Sequence, residues 1–135
     1  MRQFLICLLL CLCPMGALAQ DAREPAISRT IQSQFDAFLK DDLATAFSFA
    51  SPAIKGIFGS PERFGAMVQQ GYPMVWRPAD VQFLGLREVD GGLWQRVMVT
   101  DQAGQRHMLD YQMVKTAEGW QINAVELVRG AGVGA

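Results

Sequence analysis

Residues 93–128 read LWQRVMVTDQAGQRHMLDYQMVKTAEGWQINAVELV, and this stretch decides the fold. It divides into three runs, LWQRVMVT, QRHMLDYQMVK and WQINAVELV, rich in Val, Met, Trp and other residues that pack well on a pleated surface. The joints DQAG and TAEG each end in Gly, which adopts a positive φ without steric cost in a tight connection. The reading is three consecutive antiparallel strands.

Working outward, a strand of similar character runs from about Asp80 to Val89, with Asp90-Gly91-Gly92 as its turn. Upstream the period changes from two to about 3.6. Ile27, Ile31, Phe35, Phe38 and Leu39 make a helical stripe, with Arg29, Gln32, Gln34 and Asp36 around the rest of the circumference. Asp41 is placed to cap a second helix, whose apolar face is Leu43, Ala46, Phe47 and Ala50 and which ends at Ser51-Pro52. Ala53 to Gly59 reads as either a short strand or an irregular crossing. Ser60-Pro61 opens a third helix carrying Phe64, Met67 and Val68 and closed by Gly71. Tyr72 to Trp76 is expected to be extended, with Pro73 and Pro78 confining it to an edge or a connection. Helices followed by a four-stranded antiparallel meander predict an α+β fold, a curved cone-like sheet packed with N-terminal helices.

The N-terminus reads as an address. Met1-Arg2-Gln3 gives a short positive region, Phe4 to Leu12 is unbroken apolar sequence, and Ala17-Leu18-Ala19 is a small-residue cleavage pattern. A signal peptide over residues 1–19, cut after Ala19, predicts a periplasmic or secreted protein without a stable membrane anchor. The competing reading is an uncleaved anchor, for which the segment is short against a hydrocarbon core of about 30 Å. Residues 20–26 are expected to be a disordered lead-in, 27–129 a single domain and 130–135 a flexible Gly-rich tail. All the cysteines, Cys7, Cys11 and Cys13, fall in the leader, so the mature chain has no disulfide. Leu10 and Leu12 stand where a lipid-modified cysteine needs a small residue before it.

Composition narrows the partners. The chain of 135 residues is 50% hydrophobic and 19% charged, which suits one packed domain. Its net charge of −1 and the absence of any Lys/Arg cluster give no footprint for nucleic acid or anionic lipid. With His107 as the single histidine and no mature cysteine, a structural zinc site is not expected. No cofactor-binding motif occurs: there is no Walker loop, no G-x-G-x-x-G and no H-E-x-x-H.

The candidate site comes from the strand register. Pairing Thr100 with Gln105, and Lys115 with Trp120, puts Trp94, Arg96, Met98, His107, Leu109, Tyr111, Met113, Trp120, Ile122, Ala124, Glu126 and Val128 on one face. Arg96 and Glu126 then flank Leu109 from neighbouring strands. Trp94, Arg96, His107, Tyr111, Trp120 and Glu126 form the candidate ligand-binding set, an apolar concavity with a few convergent polar groups. Read as core and rim instead, Arg96 and Glu126 are an ion pair and His107 stands in solvent. Asp110 falls on the opposite face, Asp41-Asp42 reads as a helix cap, and Ser51 and Ser60 read as helix-end residues. Both sheet faces are substantially apolar, so a homodimer through the second face is the simplest way to cover it.

The segment FASPAIKGIFGSPERFGAMVQQGYPMVWRP, followed by the meander with GWQINAVEL, resembles an uncharacterised bacterial family catalogued as domain of unknown function 4864. The resemblance runs from about Ile27 to Arg129. Its most specific parts are Phe49-Ala50-Ser51-Pro52, Phe64-x-x-Met67-Val68 and Trp120-x-Ile122. The layout is also similar to the nuclear transport factor 2-like (SnoaL-like) superfamily, which implies a pocket in the cone and frequent dimers but selects no function. Two functions are expected from these features. One is a non-enzymatic binding module for a small apolar or amphipathic ligand or a protein partner. The other is a small cofactor-free isomerase- or hydrolase-like enzyme, with His107 or Glu126 as base and Arg96 or Tyr111 stabilising charge.

Overall fold

The computed structural model describes residues 22–129. The expected signal peptide over residues 1–19 and the expected flexible tail over residues 130–135 lie outside the described residues. The chain forms α1 (Glu24–Leu39), α2 (Leu43–Ser48), α3 (Pro52–Phe58), α4 (Pro61–Gly71), α5 (Pro73–Trp76), β1 (Asp80–Val89), β2 (Gly92–Thr100), β3 (Arg106–Thr116) and β4 (Gly119–Leu127). The strands make one antiparallel sheet in the order β1-β2-β3-β4, a meander, and the helices pack on one of its faces. The α+β architecture is as the alternating periods require.

Helix starts follow local chemistry. α1 begins at Glu24 with Pro25 in its first turn, so it takes in the last residues assigned to the lead-in. Asp42, not Asp41, caps α2 by accepting from the Thr45 amide at 3.2 Å. Asp41 instead takes a left-handed φ of 56° between the two helices, and its carboxylate meets Arg77. Arg77 also donates to the Phe38 carbonyl at 2.6 Å, satisfying an end group of α1.

Two segments not expected to be helical, Ala53 to Gly59 and Tyr72 to Trp76, are helical. Ser51-Pro52 does not only end α2; Ser51 caps α3 by accepting from the Ile54 amide, with Pro52 in the first turn. The segment Ala53 to Gly59 is therefore neither a strand nor an irregular crossing. Pro73 likewise starts the single turn of α5, because its missing N–H falls where a helix has no partner for one. Each Pro acts as an opener, the role that Ser60-Pro61 plays for α4.

The β2–β3 register differs by one residue from the four-residue turn expected. Thr100 stands opposite Arg106, not Gln105. The cause is Asp101, whose amide donates to the Gln105 carbonyl at 2.8 Å and whose Oδ1 accepts from the amides of Ala103 and Gln105. The loop shrinks to Gln102-Ala103-Gly104, with Gly104 at φ 85°, the usual three-residue hairpin connection. Between β3 and β4 the expected Lys115–Trp120 pairing holds, but a bulge at Gln112/Met113 leaves Asn123 without an opposite residue. Beyond it Tyr111 faces Val125, and Glu126 stands opposite Asp110. Because the side-chain period is two, each shift of one exchanges the faces.

β2 shows the outcome: Leu93, Gln95, Val97 and Val99 are buried, while Trp94, Arg96, Met98 and Thr100 are half-buried on the other side. Ile27, Ile31 and Phe38 are completely buried, as are Val97, Val99, Leu109 and Tyr111 on the facing strands. Leu39 leaves the stripe and is 46% exposed. Phe38 sits within 5.6–5.9 Å of the Phe64 and Trp76 rings, joining α1, α4 and α5 above the sheet. Phe38→Ala removes that junction and is expected to cost about 3–5 kcal/mol, read as a lower urea midpoint with an unchanged slope.

Candidate functional site

A cavity of about 280 Å³ lies between the helices and the sheet. Gln34 of α1, Ile54 and Phe58 of α3, and Phe64, Met67 and Val68 of α4 form its helical side, with Tyr72 and Val75 beside them. Tyr111 of β3 and the bulged segment 122–125 of β4 form its floor. The bulge opens this space, since the extra residue, Asn123, bends β4 away from the regular ladder. α3 contributes two wall residues although none of its own residues is fully buried, and Ile57 on its far side is 71% exposed.

Most polar groups in the wall are committed to the protein. Gln34 Nε2 donates to the Ala46 carbonyl at 3.1 Å, and the Tyr72 hydroxyl donates to the Val125 carbonyl at 3.1 Å. Asn123 accepts from Ser51 Oγ at 2.8 Å and donates to Gln112 Oε1 at 2.9 Å. Tyr111 is the exception. Its side chain is 0% exposed, and its hydroxyl has no hydrogen-bond partner among the described residues. Burial, with a smaller effect of Tyr72, pushes its ionisation well above the ordinary tyrosine range, so it stays a neutral donor. A buried hydroxyl without an acceptor costs about 1–3 kcal/mol, which makes it an unusual feature of a packed wall.

The other candidate residues are distributed over both faces. Trp94, Arg96 and Glu126 lie on the face turned away from the helices. Arg96 and Glu126 flank Asp110, where the expected register has Leu109. Asp110 is nearly buried beneath two guanidinium forks: Arg87 donates at 3.0 and 2.6 Å, and Arg96 at 2.9 Å twice. His107 is at the turn end of β3, with Nε2 2.8 Å from Asp101 Oδ2, and serves the hairpin loop. Trp120 packs at the edge of the core beneath the Lys115 ammonium, 5.9 Å from its ring centroid. Of the six candidates, Tyr111 alone lines the cavity. The geometry does not gather His107, Glu126, Arg96 and Tyr111 around one space.

The wall residues outside the candidate ligand-binding set include those of α3 and α4; sequence reading gives Phe64, Met67 and Val68 as a helix face but does not single out Ile54 and Phe58. Ile54 and Phe58 are four apart, the spacing of one helical face, and become legible once Ser51-Pro52 is read as a helix start. Among the described residues, no group of three or more His, Cys, Asp or Glu side chains is placed to hold a metal ion. Nor is any described helix long and apolar enough to cross a membrane.

A family model described as Domain of unknown function (DUF4864) matches residues 20–135. No curated protein matches the chain.

The Asp110 cluster gives a pH signature. Burial alone would raise its pKa, but the hydrogen bonds from Arg87 and then Arg96 outweigh this and hold it at about 2, against an ordinary 3.8. A carboxylate lowered by folding contributes stability above its unfolded pKa and loses it as pH falls through the folded value. The contribution is about 2 kcal/mol. The stability gap between the wild type and Asp110→Asn should therefore be constant near neutrality and narrow between about pH 4 and pH 2 in urea titrations.

Proposed function

The chain belongs to the family described as Domain of unknown function (DUF4864), and from its geometry we propose that it is an exported binding module for a small apolar or amphipathic molecule. The observation that carries this reading is the cavity of about 280 Å³, walled by Phe58, Phe64, Met67, Val68 and Ile122, with Tyr111 in its floor. Ligand sites combine such apolar walls with few polar groups, and this volume falls just below their usual range of about 300–1,000 Å³. A single ring or a short chain suits it; a whole phospholipid does not. Export is supported by the leader pattern of residues 1–19.

The second sheet face supports a homodimer in the same reading. Among the described residues no helix covers it, and Trp94, Met98 and Met108 lie half-buried there around the Arg87–Asp110–Arg96 cluster. Opposite charges on that face leave it free of a single repulsive sign toward its own copy.

Native mass spectrometry of the protein purified from its own cell envelope tests the whole reading. The expected species begins at Gln20, has twice the monomer mass and carries a small excess that leaves on mild activation. A chain that retains nothing and binds no apolar probe contradicts the binding role. A mass that retains residues 1–19 contradicts processing, and a clean monomer contradicts the covered second face.

A further inference from the structure

We propose that the cavity takes an uncharged molecule with an apolar body and one hydroxyl, an aliphatic alcohol, and that this hydroxyl donates to the carboxamide oxygen of Gln34. The inference rests on reading the cavity as a ligand site and adds the chemical class of its occupant.

Gln34 of α1 lines the cavity and is 4% exposed. Its carboxamide is committed through the nitrogen alone, with Nε2 donating to the Ala46 carbonyl at 3.1 Å. A carbonyl can only accept, so this bond fixes which end of the carboxamide is nitrogen and leaves Oε1 as the other. Among the described residues Oε1 has no hydrogen-bond partner. The unpaired side-chain atoms that are sealed from water are Gln95 Oε1 and the Tyr111 hydroxyl, and Gln34 Oε1 is not one of them. It is therefore an open acceptor on a residue otherwise buried, and the cavity is where a molecule reaches it.

The rest of the lining selects against other classes. It contains no Arg, Lys, His, Asp or Glu, so an ion would lose its hydration without a counter-charge. A hydrocarbon, ether or ketone brings no proton and leaves Oε1 unpaired once it has displaced water. A hydroxyl donates and still accepts, and Gln34 and Asn123 each keep a second amide N–H that can serve its oxygen. Tyr111 contributes only ring surface, since its hydroxyl is closed to a ligand. A site that bonds a hydroxyl rejects the analogue lacking it, because a buried polar group is then left unpaired.

The test compares 1-octanol with heptyl methyl ether, its isomer with no proton on oxygen, following amide shifts by NMR in the wild type and Gln34→Met. The ether is the less strongly hydrated, so transfer from water alone favours it. The alcohol is nevertheless expected to bind more tightly by about fivefold or more, the worth of one neutral hydrogen bond, and to move the Gln34 side-chain amide resonances. Gln34→Met should abolish the preference and leave the ether unchanged. That variant also strips the Ala46 carbonyl of its donor, so circular dichroism checks its fold. Should it not fold, the wild-type affinities and Gln34 resonances decide alone. If neither compound binds, the cavity reading itself fails. If the ether binds as well as the alcohol, or the alcohol leaves the Gln34 amide unmoved, the cavity is a ligand site but the assigned class is wrong.

Discussion

The placement of one carboxylate, Asp101, sets the face of every residue on the central hairpin. By accepting from the Ala103 and Gln105 amides it closes a three-residue loop and opposes Thr100 to Arg106. That register turns Leu93, Val97, Val99, Leu109, Tyr111 and Met113 toward the helices, and leaves Arg96 and Asp110 on the other side. A register shifted by one would instead put Arg96 on the same face as Leu109 and Tyr111, and Asp110 on that of Val97 and Val99. His107, bonded to the same Asp101, ties the start of β3 to the loop.

The two faces then do different work. The covered face buries its aliphatic and aromatic residues under α1, α4 and α5, except where the bulge at Asn123 and the thin cover of α3 leave a cavity. The open face satisfies its charge internally, with Asp110 held by two arginines that remain partly exposed. One chain of hydrogen bonds links them: Ser51 at the start of α3 bonds Asn123 at the bulge, which bonds Gln112 on the open face. The helix that walls the cavity is thus anchored through the sheet, while its outward side remains exposed.

The fold was largely legible because its signals are periodic and local. The stripe Ile27, Ile31, Phe35 and Phe38 is read from spacing alone, and Gly104 and Gly119 mark the turns where φ is 85° and 99°. The site was much less legible. Tyr111 was recognisable by type and by strand, but its companions depended on two one-residue details, the Asp101-closed loop and the Asn123 bulge. Neither leaves a periodic trace, since both arise from side-chain hydrogen bonds to particular backbone amides or to residues distant in the chain. α3 was hidden for another reason: Gly56 and the β-branched Ile54 and Ile57 weaken its helix signal, and its Ser-Pro opener also looks like a stop.

A crystal structure of the protein purified from its own cells tests the central claim, that the cavity between the helices and the sheet is a ligand site, most directly. The expected result is continuous density within the cavity, against the walls formed by Phe58, Phe64, Met67, Val68 and Ile122. A cavity collapsed by inward movement of its wall residues, or one holding no density, would contradict it.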